Sequence, residues 1–301
     1  MNSPRRVYDQ SQQLELTRFR GRFSAWRTWS LALLVGLSGC DGGANPNLVD
    51  EALLRPALLR EDPEQMRAYM AKLPEGVYQE YRLDTIGRFH VDDPKDYIKQ
   101  FIVHNRVWEK HLVELFPKYA KPGITVIDAG AHIGIHTMPL ARLVGPGGRV
   151  YAFEPQHKLY RELVFNLRLN GVDNVVPLRY ALGHTAGIVE MDSTVRGNEG
   201  GTPVGRGGDR VELRPLDSFG FRNVSLIKID VEHFEDFLLE GAQLTIARDR
   251  PVILIEIMGG YAYESASAVV KGRIDATRER LNAMGYKVEH IHAYDYLALL
   301  Q

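Results

Sequence analysis

From Ile124 to the C-terminus, short apolar runs alternate with longer segments of helical spacing, and this alternation constrains the fold more than any other feature of the chain. Ile124–Asp128, Arg149–Glu154, Val175–Leu182, Leu226–Val231 and Val252–Ile257 are near-continuous apolar runs, as expected of strands buried on both faces. Helical patterns around Ile135–Val144, Gln156–Asn170, Phe234–Ala247 and Ala268–Met284 lie between and after them, with Gly171 as a stop after the second. Tyr286–His292 and Tyr294–Leu299 read as a closing pair of strands. Strands joined through helices run parallel. The expectation over residues 122–301 is therefore an α/β domain, doubly wound around a mostly parallel, seven-stranded sheet. No internal repeat interrupts the pattern.

The residues before it read differently. Leu53, Leu54, Leu58 and Leu59 are at helical spacing, and Tyr97, Phe101, Val107, Leu112, Leu115 and Phe116 continue it after Pro94. Residues 49–121 are thus expected to be a helical extension that caps the domain. Residues 1–48 are different again. Arg5, Arg6, Arg18, Arg20, Arg22 and Arg27 precede an apolar run, Ser30–Leu37, that ends in Ser38-Gly39-Cys40. Basic residues, a short apolar run and small residues describe a secretory signal. Leu37-Ser38-Gly39-Cys40 also resembles a bacterial lipobox, with Cys40 the acylated residue and Asp41–Asn47 a flexible tether. This favours membrane attachment through residues 27–40. A chance apolar helix, or a start codon set too far upstream, would leave a cytoplasmic protein instead.

Charge and cysteine content exclude several classes. Lys+Arg 37 against Asp+Glu 38 gives a formal net charge of -1, not the basic balance of a nucleic-acid-binding domain. A single cysteine forbids an intrachain disulfide and a cysteine-based zinc site.

The chemistry-bearing positions lie at strand ends. Asp128-Ala129-Gly130-Ala131-His132-Ile133-Gly134 follows the first strand and opens a helix, where glycines let a ligand approach the backbone. His132 stands where a dinucleotide fingerprint needs its second glycine, which disfavours a nicotinamide oxidoreductase. Glu154 ends the next strand, 20 residues after Gly134, and a carboxylate there can accept hydrogen bonds from both hydroxyls of a ribose. Lys228-Ile229-Asp230-Val231-Glu232 puts charge at the buried end of a later strand, costly unless functional or internally paired. His132 and His136 are four apart, but the first falls in the turn, so no metal site is expected there. His290 and His292 read as packed or solvated strand residues. Gly197–Gly208, with six glycines between the strand-like Ile188–Met191 and Arg210–Leu213, is an inert excursion or a mobile substrate loop.

Taken together, Val126–Gly134, Val150–Pro155, Leu216–Phe219 and Ile227–Glu232 resemble the FkbM-type S-adenosylmethionine-dependent methyltransferases of class I, Rossmann-like fold, over about Trp108 to Glu256. The resemblance implies S-adenosylmethionine as cofactor. It implies that Asp128, Gly130 and Gly134 line the methionine end, with Ala131, His132 and Ala181 in the same cofactor set, and that Glu154 holds the ribose. Asp230 and Glu232 would face the transferred methyl. One departure stands out: that family usually continues the last motif with glycine, and this chain has His233-Phe234.

Three functions follow. An O-methyltransferase acting on a hydroxyl of a small molecule or carbohydrate leads, with Asp230, Glu232 or His233 as the base. The Asn/Asp-Pro-Pro-aromatic turn of many N-methyltransferases is missing after this strand. A degenerate, non-catalytic binding module at the cell envelope would fit the altered His233-Phe234 turn and an exported chain. The third is the oxidoreductase already disfavoured.

Overall fold

The computed structural model describes residues 79–301, apart from residue 84 and residues 193–196. Cys40, the apolar run and the first part of the 49–121 extension lie outside the described residues. Among those described, no helix is long and apolar enough to cross a membrane.

The first element is a hairpin, β1 (Gln79–Leu83) with β2 (Gly87–Val91), paired antiparallel so that Tyr81 faces Phe89. The helical reading of 49–121 is corrected here. Leu83, Phe89 and Val91 alternate with polar neighbours at period two and are buried, and Gly87 takes φ 127 at the turn. Two helices, α1 (Lys99–Val103) and α2 (Lys110–Tyr119), complete the extension. Leu83, Phe89, Ile102, Leu112 and Phe116 share one apolar cluster with Val126, Met138 and Leu163 of the domain, which fixes the extension to it.

The domain contains the expected seven-stranded sheet. Its strands are β3 (Thr125–Ala129), β4 (Arg149–Phe153), β5 (Val175–Leu178), β9 (Val224–Ile229), β10 (Val252–Glu256), β11 (Tyr286–His292) and β12 (Asp295–Leu300), in the order β11-β12-β10-β9-β3-β4-β5. All pairings are parallel except those of β12 with β10 and β11. Helices α3 (Thr137–Val144) and α4 (His157–Leu169) follow β3 and β4, and α7 (Ala268–Ala283) precedes the closing hairpin. Every residue of β3 is buried, the mark of a central strand covered on both faces.

Two runs break where one element was expected. Val175–Leu182 is β5 plus β6 (Ala181–Leu182), and β6 leaves the main sheet to pair with β8 (Gly207–Arg214). Tyr180 marks the corner, its ring against Phe219 and the Arg214 guanidinium. β8 also pairs antiparallel with β7 (Gly187–Asp192), so the glycine-rich segment closes a hairpin. The helix expected over Phe234–Ala247 is two, α5 (Glu235–Glu240) and α6 (Gln243–Asp249), separated at Gly241. A Cβ on Gly241 would lie 1.9 Å from the Gly183 carbonyl oxygen, so backbone contact sets that break.

Candidate functional site

The chain winds from β3 outward to β4 and β5, then returns to β9 on the other side of β3. The carboxyl end of β3 is thus the switch point at which open α/β sheets bind ligands. A cavity opens there, lined by Gly130, Glu154, Ala181, Asp230, Glu232 and Phe234 among others.

Gly130 makes the floor. It adopts φ 82, and a Cβ there would lie 1.8 Å from the Asp230 carbonyl oxygen, so the turn after β3 and the loop after β9 touch backbone to backbone. Glu154 ends β4 and is 4% exposed. One carboxyl oxygen accepts the His132 backbone N–H and the other that of Gln156, each at 2.9 Å. Burial pushes its pKa up to about 7, against the pull of those two donors. A carboxylate has about four lone-pair directions, so two stay available for hydroxyl donors.

Asp230 stands across the cavity. Burial alone would raise its pKa, but Lys228, with Nζ 3.2 Å away, holds it below the usual carboxylate range. The internal pairing that stood as the alternative to a functional role is present between Lys228 and Asp230, and it has a second use. Lys228 Nζ donates to the Gly130 carbonyl at 3.0 Å and lies 3.8 Å from Asp128, which locks the turn to β9. Glu256, at the end of β10, shares a hydrogen bond with Asp230; burial and that carboxylate push it well above its ordinary value. Protonated Glu256 therefore donates to ionised Asp230. Glu109, which precedes α2, is raised by burial and then by Asp230 and Asp295.

Of the residues expected to bind cofactor, Gly130, Glu154, Ala181 and Asp230 border this cavity, while Asp128, Ala131, His132 and Gly134 stand behind its lining. Asp128 is fully buried within β3 and accepts the Thr137 hydroxyl at 2.6 Å. Ala131 is core, and Gly134 packs on Leu163. His132 takes φ 51, which aims its N–H at Glu154; its ring nitrogens are buried, and burial lowers its pKa to about 3. His136 packs on Phe116, with Glu109 at 3.6 Å from its Nε2. Of the proposed bases, Asp230 and Glu232 line the cavity. His233 adopts φ 71 and gives its carbonyl to Arg273, while Phe234 takes the place on the wall.

The glycine-rich loop covers one side. Gly200, Thr202 and Val204 line the cavity, and the Glu199 carbonyl accepts from the Gln156 amide. Glu199 also binds Lys158 at 2.6 Å and Lys99 at 2.7 Å, so the loop is anchored to α4 and α1.

Two site residues escape the sequence reading. Glu256 obeys the same strand-end rule that singles out Glu154 and Asp230. Glu109 has no local signal, because it reaches the site from the extension.

The Methyltransferase FkbM domain family matches residues 128–288, more than half of the chain. No curated protein matches it. Among solved structures it is similar to an FkbM methyltransferase from Methylobacillus flagellatus KT, at 19% identity and TM-score 0.43, over 67% of this chain and 52% of that one, about half the length of that relative. It is also similar to fibrillarin from Aeropyrum pernix with natively bound S-adenosyl-L-methionine (14%, TM-score 0.40, 75% and 84%). A third is an S-adenosylmethionine-dependent O-methyltransferase from Thermotoga maritima (14%, TM-score 0.41, 78% and 81%). With its strand-end carboxyls gathered at the switch point and the family match across them, the chain belongs to the FkbM methyltransferase domain family.

Proposed function

We propose that the cavity binds S-adenosylmethionine and that the chain transfers its methyl group to a hydroxyl of a small molecule or glycan. The observation that carries this reading is one cavity bordered by two carboxyl groups of opposite character, buried Glu154 and ionised Asp230. The residues fit the cofactor: Glu154 keeps lone pairs for a ribose diol, and Gly130 leaves the floor bare of side-chain atoms. When bound, S-adenosylmethionine supplies a methyl group already activated by its sulfonium charge.

This chain's residues then have two tasks, alignment and proton removal. Asp230 is ionised and takes the acceptor's proton, with Glu232 beside it on the same wall as the second candidate. His233 is the third, one residue further along the loop. Glu256 keeps Asp230 oriented through their shared hydrogen bond. The glycine-rich loop helps exclude water from the same space.

The test is incubation with methyl-labelled S-adenosylmethionine and pools of glycan and small-molecule alcohols. Label should appear in ethers, and Asp230→Asn should slow transfer by about 10²–10⁴-fold. Label found only on amines, or full activity in Asp230→Asn, Glu232→Gln and His233→Ala alike, contradicts this reading.

A further inference from the structure

His111, His292 and Asp295 bring their ligand atoms within 4.8 Å of one another. They come from separate parts of the chain, His111 from the first turn of α2 and the other two from the β11–β12 hairpin. His111 Nε2 is 2.6 Å from an Asp295 carboxyl oxygen, and the two imidazoles lie with centroids 4.4 Å apart, tilted by 36°. The hairpin has an irregularity that creates this arrangement. Register shifts between His290 and His292, so His292 rather than Ile291 faces Asp295 across the ladder. Bulges of this kind re-aim a side chain, and they gather next to functional sites.

Two other groups of acidic residues in the molecule already have cations. Lys99 and Lys158 neutralise Asp92, Glu162 and Glu199, and Lys228 serves the cluster around Asp230. Among the described residues, Asp295 has His111 as its ion-pair partner and no lysine or arginine. From these facts we infer that His111, His292 and Asp295 form a binding site for a first-row divalent transition ion, of the class of Zn²⁺ or Co²⁺.

The donor chemistry selects that class. Two imidazoles and one carboxylate suit borderline ions, whereas Mg²⁺ and Ca²⁺ prefer sets made of oxygen alone. Bonds of about 2.0–2.2 Å to a common centre place tetrahedral ligand atoms roughly 3.3–3.6 Å apart, so the ion would replace the direct 2.6 Å His111–Asp295 contact. Three protein ligands leave a coordination position open to water. The ion ties the N-terminal extension to the sheet edge. Asp295 lies opposite Glu256 in the register of β12 on β10, so the ion would sit one strand from the carboxyl cluster around Asp230. This inference uses only the ligand geometry and stands whether or not the chain methylates hydroxyls.

The experiment is Co²⁺ titration of the untagged full chain, followed by visible absorption and by thermal unfolding. A single ion per chain should give the intense visible bands of low-coordinate Co²⁺, raise Tm and be displaced by Zn²⁺ but not by Mg²⁺. His292 is exposed, so His292→Ala keeps the fold. It should weaken binding by more than the roughly 10–100-fold that loss of an outer partner costs, and Asp295→Asn should do the same. Unchanged Co²⁺ affinity in folded His292→Ala overturns the site. So does affinity lost in Glu256→Gln but retained in His292→Ala, which would move the ion to the acidic cluster.

Discussion

A Cβ built on Gly130 would lie 1.8 Å from the carbonyl oxygen of Asp230, so the turn that follows β3 and the loop that follows β9 are in backbone contact. Gly130 also adopts φ 82, where a side chain is strained even in open space. Gly130→Ala therefore has to move the Asp230 loop. Urea unfolding should report a loss of at least about 2 kcal/mol, summing left-handed strain and overpacking. A stability equal to wild type would mean that this contact does not hold the floor of the cavity.

Lys99 is wholly buried and reaches Asp92, Glu162 and Glu199 at 2.5, 2.9 and 2.7 Å. Removing one partner from a buried ionic network leaves the others uncompensated, a cost of about 3–5 kcal/mol. Lys99→Met should destabilise by that order and raise amide hydrogen exchange in the glycine-rich loop around Glu199. Unchanged protection in that loop would show that something other than this network anchors it.

How much of this was legible in the sequence depends on the distance over which each feature is determined. The strands of the main sheet are near-continuous apolar runs, and Asp128, Glu154 and Asp230 sit at or near their ends, so local pattern finds both the sheet and the edge at which the cavity opens. The β1–β2 hairpin is misread because leucines and aromatics upstream and downstream keep a helical spacing, while the period-two alternation of Leu83, Phe89 and Val91 spans only a few residues. Val175–Leu182 breaks because Tyr180 finds its partners on Phe219 and Arg214, residues distant in sequence. Gly130 and Gly134 look alike in the motif, yet one borders the cavity and the other packs on Leu163. Glu109 joins the site only through the docking of the extension, which no local pattern encodes.

The titrating groups set a pH dependence for the fold. Burial first of all raises Glu154 and Glu162 to about 7 and Glu235 to about 8 from 4.5. A raised carboxyl binds protons more tightly in the folded chain, so its stabilisation is full below 4.5 and is lost as pH rises through the folded value. His132 and His136, lowered by burial to about 3 from 6.5, act oppositely, and their contribution is lost as pH falls below 6.5. The two sets oppose each other below 6.5, and only the carboxyls act above it. Denaturant midpoints should therefore fall between pH 6.5 and 8, less so in Glu235→Gln. A midpoint that rises over that interval contradicts these assignments.

His233 holds the left-handed position, φ 71, at which the family resemblance leads one to expect glycine. Histidine tolerates this region better than most residues, and a β-branched residue does not. His233→Gly should change stability by less than about 1 kcal/mol, its relief of strain offset by backbone entropy. His233→Val should lose about 1–2 kcal/mol. Equal stability of the two variants would imply that the turn relaxes freely.

We propose that Glu154 holds the ribose of S-adenosylmethionine, and isothermal titration of that cofactor into wild type and Glu154→Ala is the decisive test. A hydrogen bond to a charged group contributes about 1.5–3 kcal/mol, so the variant should bind about 10- to 100-fold more weakly while its circular dichroism matches that of wild type. A folded Glu154→Ala with the affinity of wild type, or a wild type that binds no S-adenosylmethionine, would contradict the account.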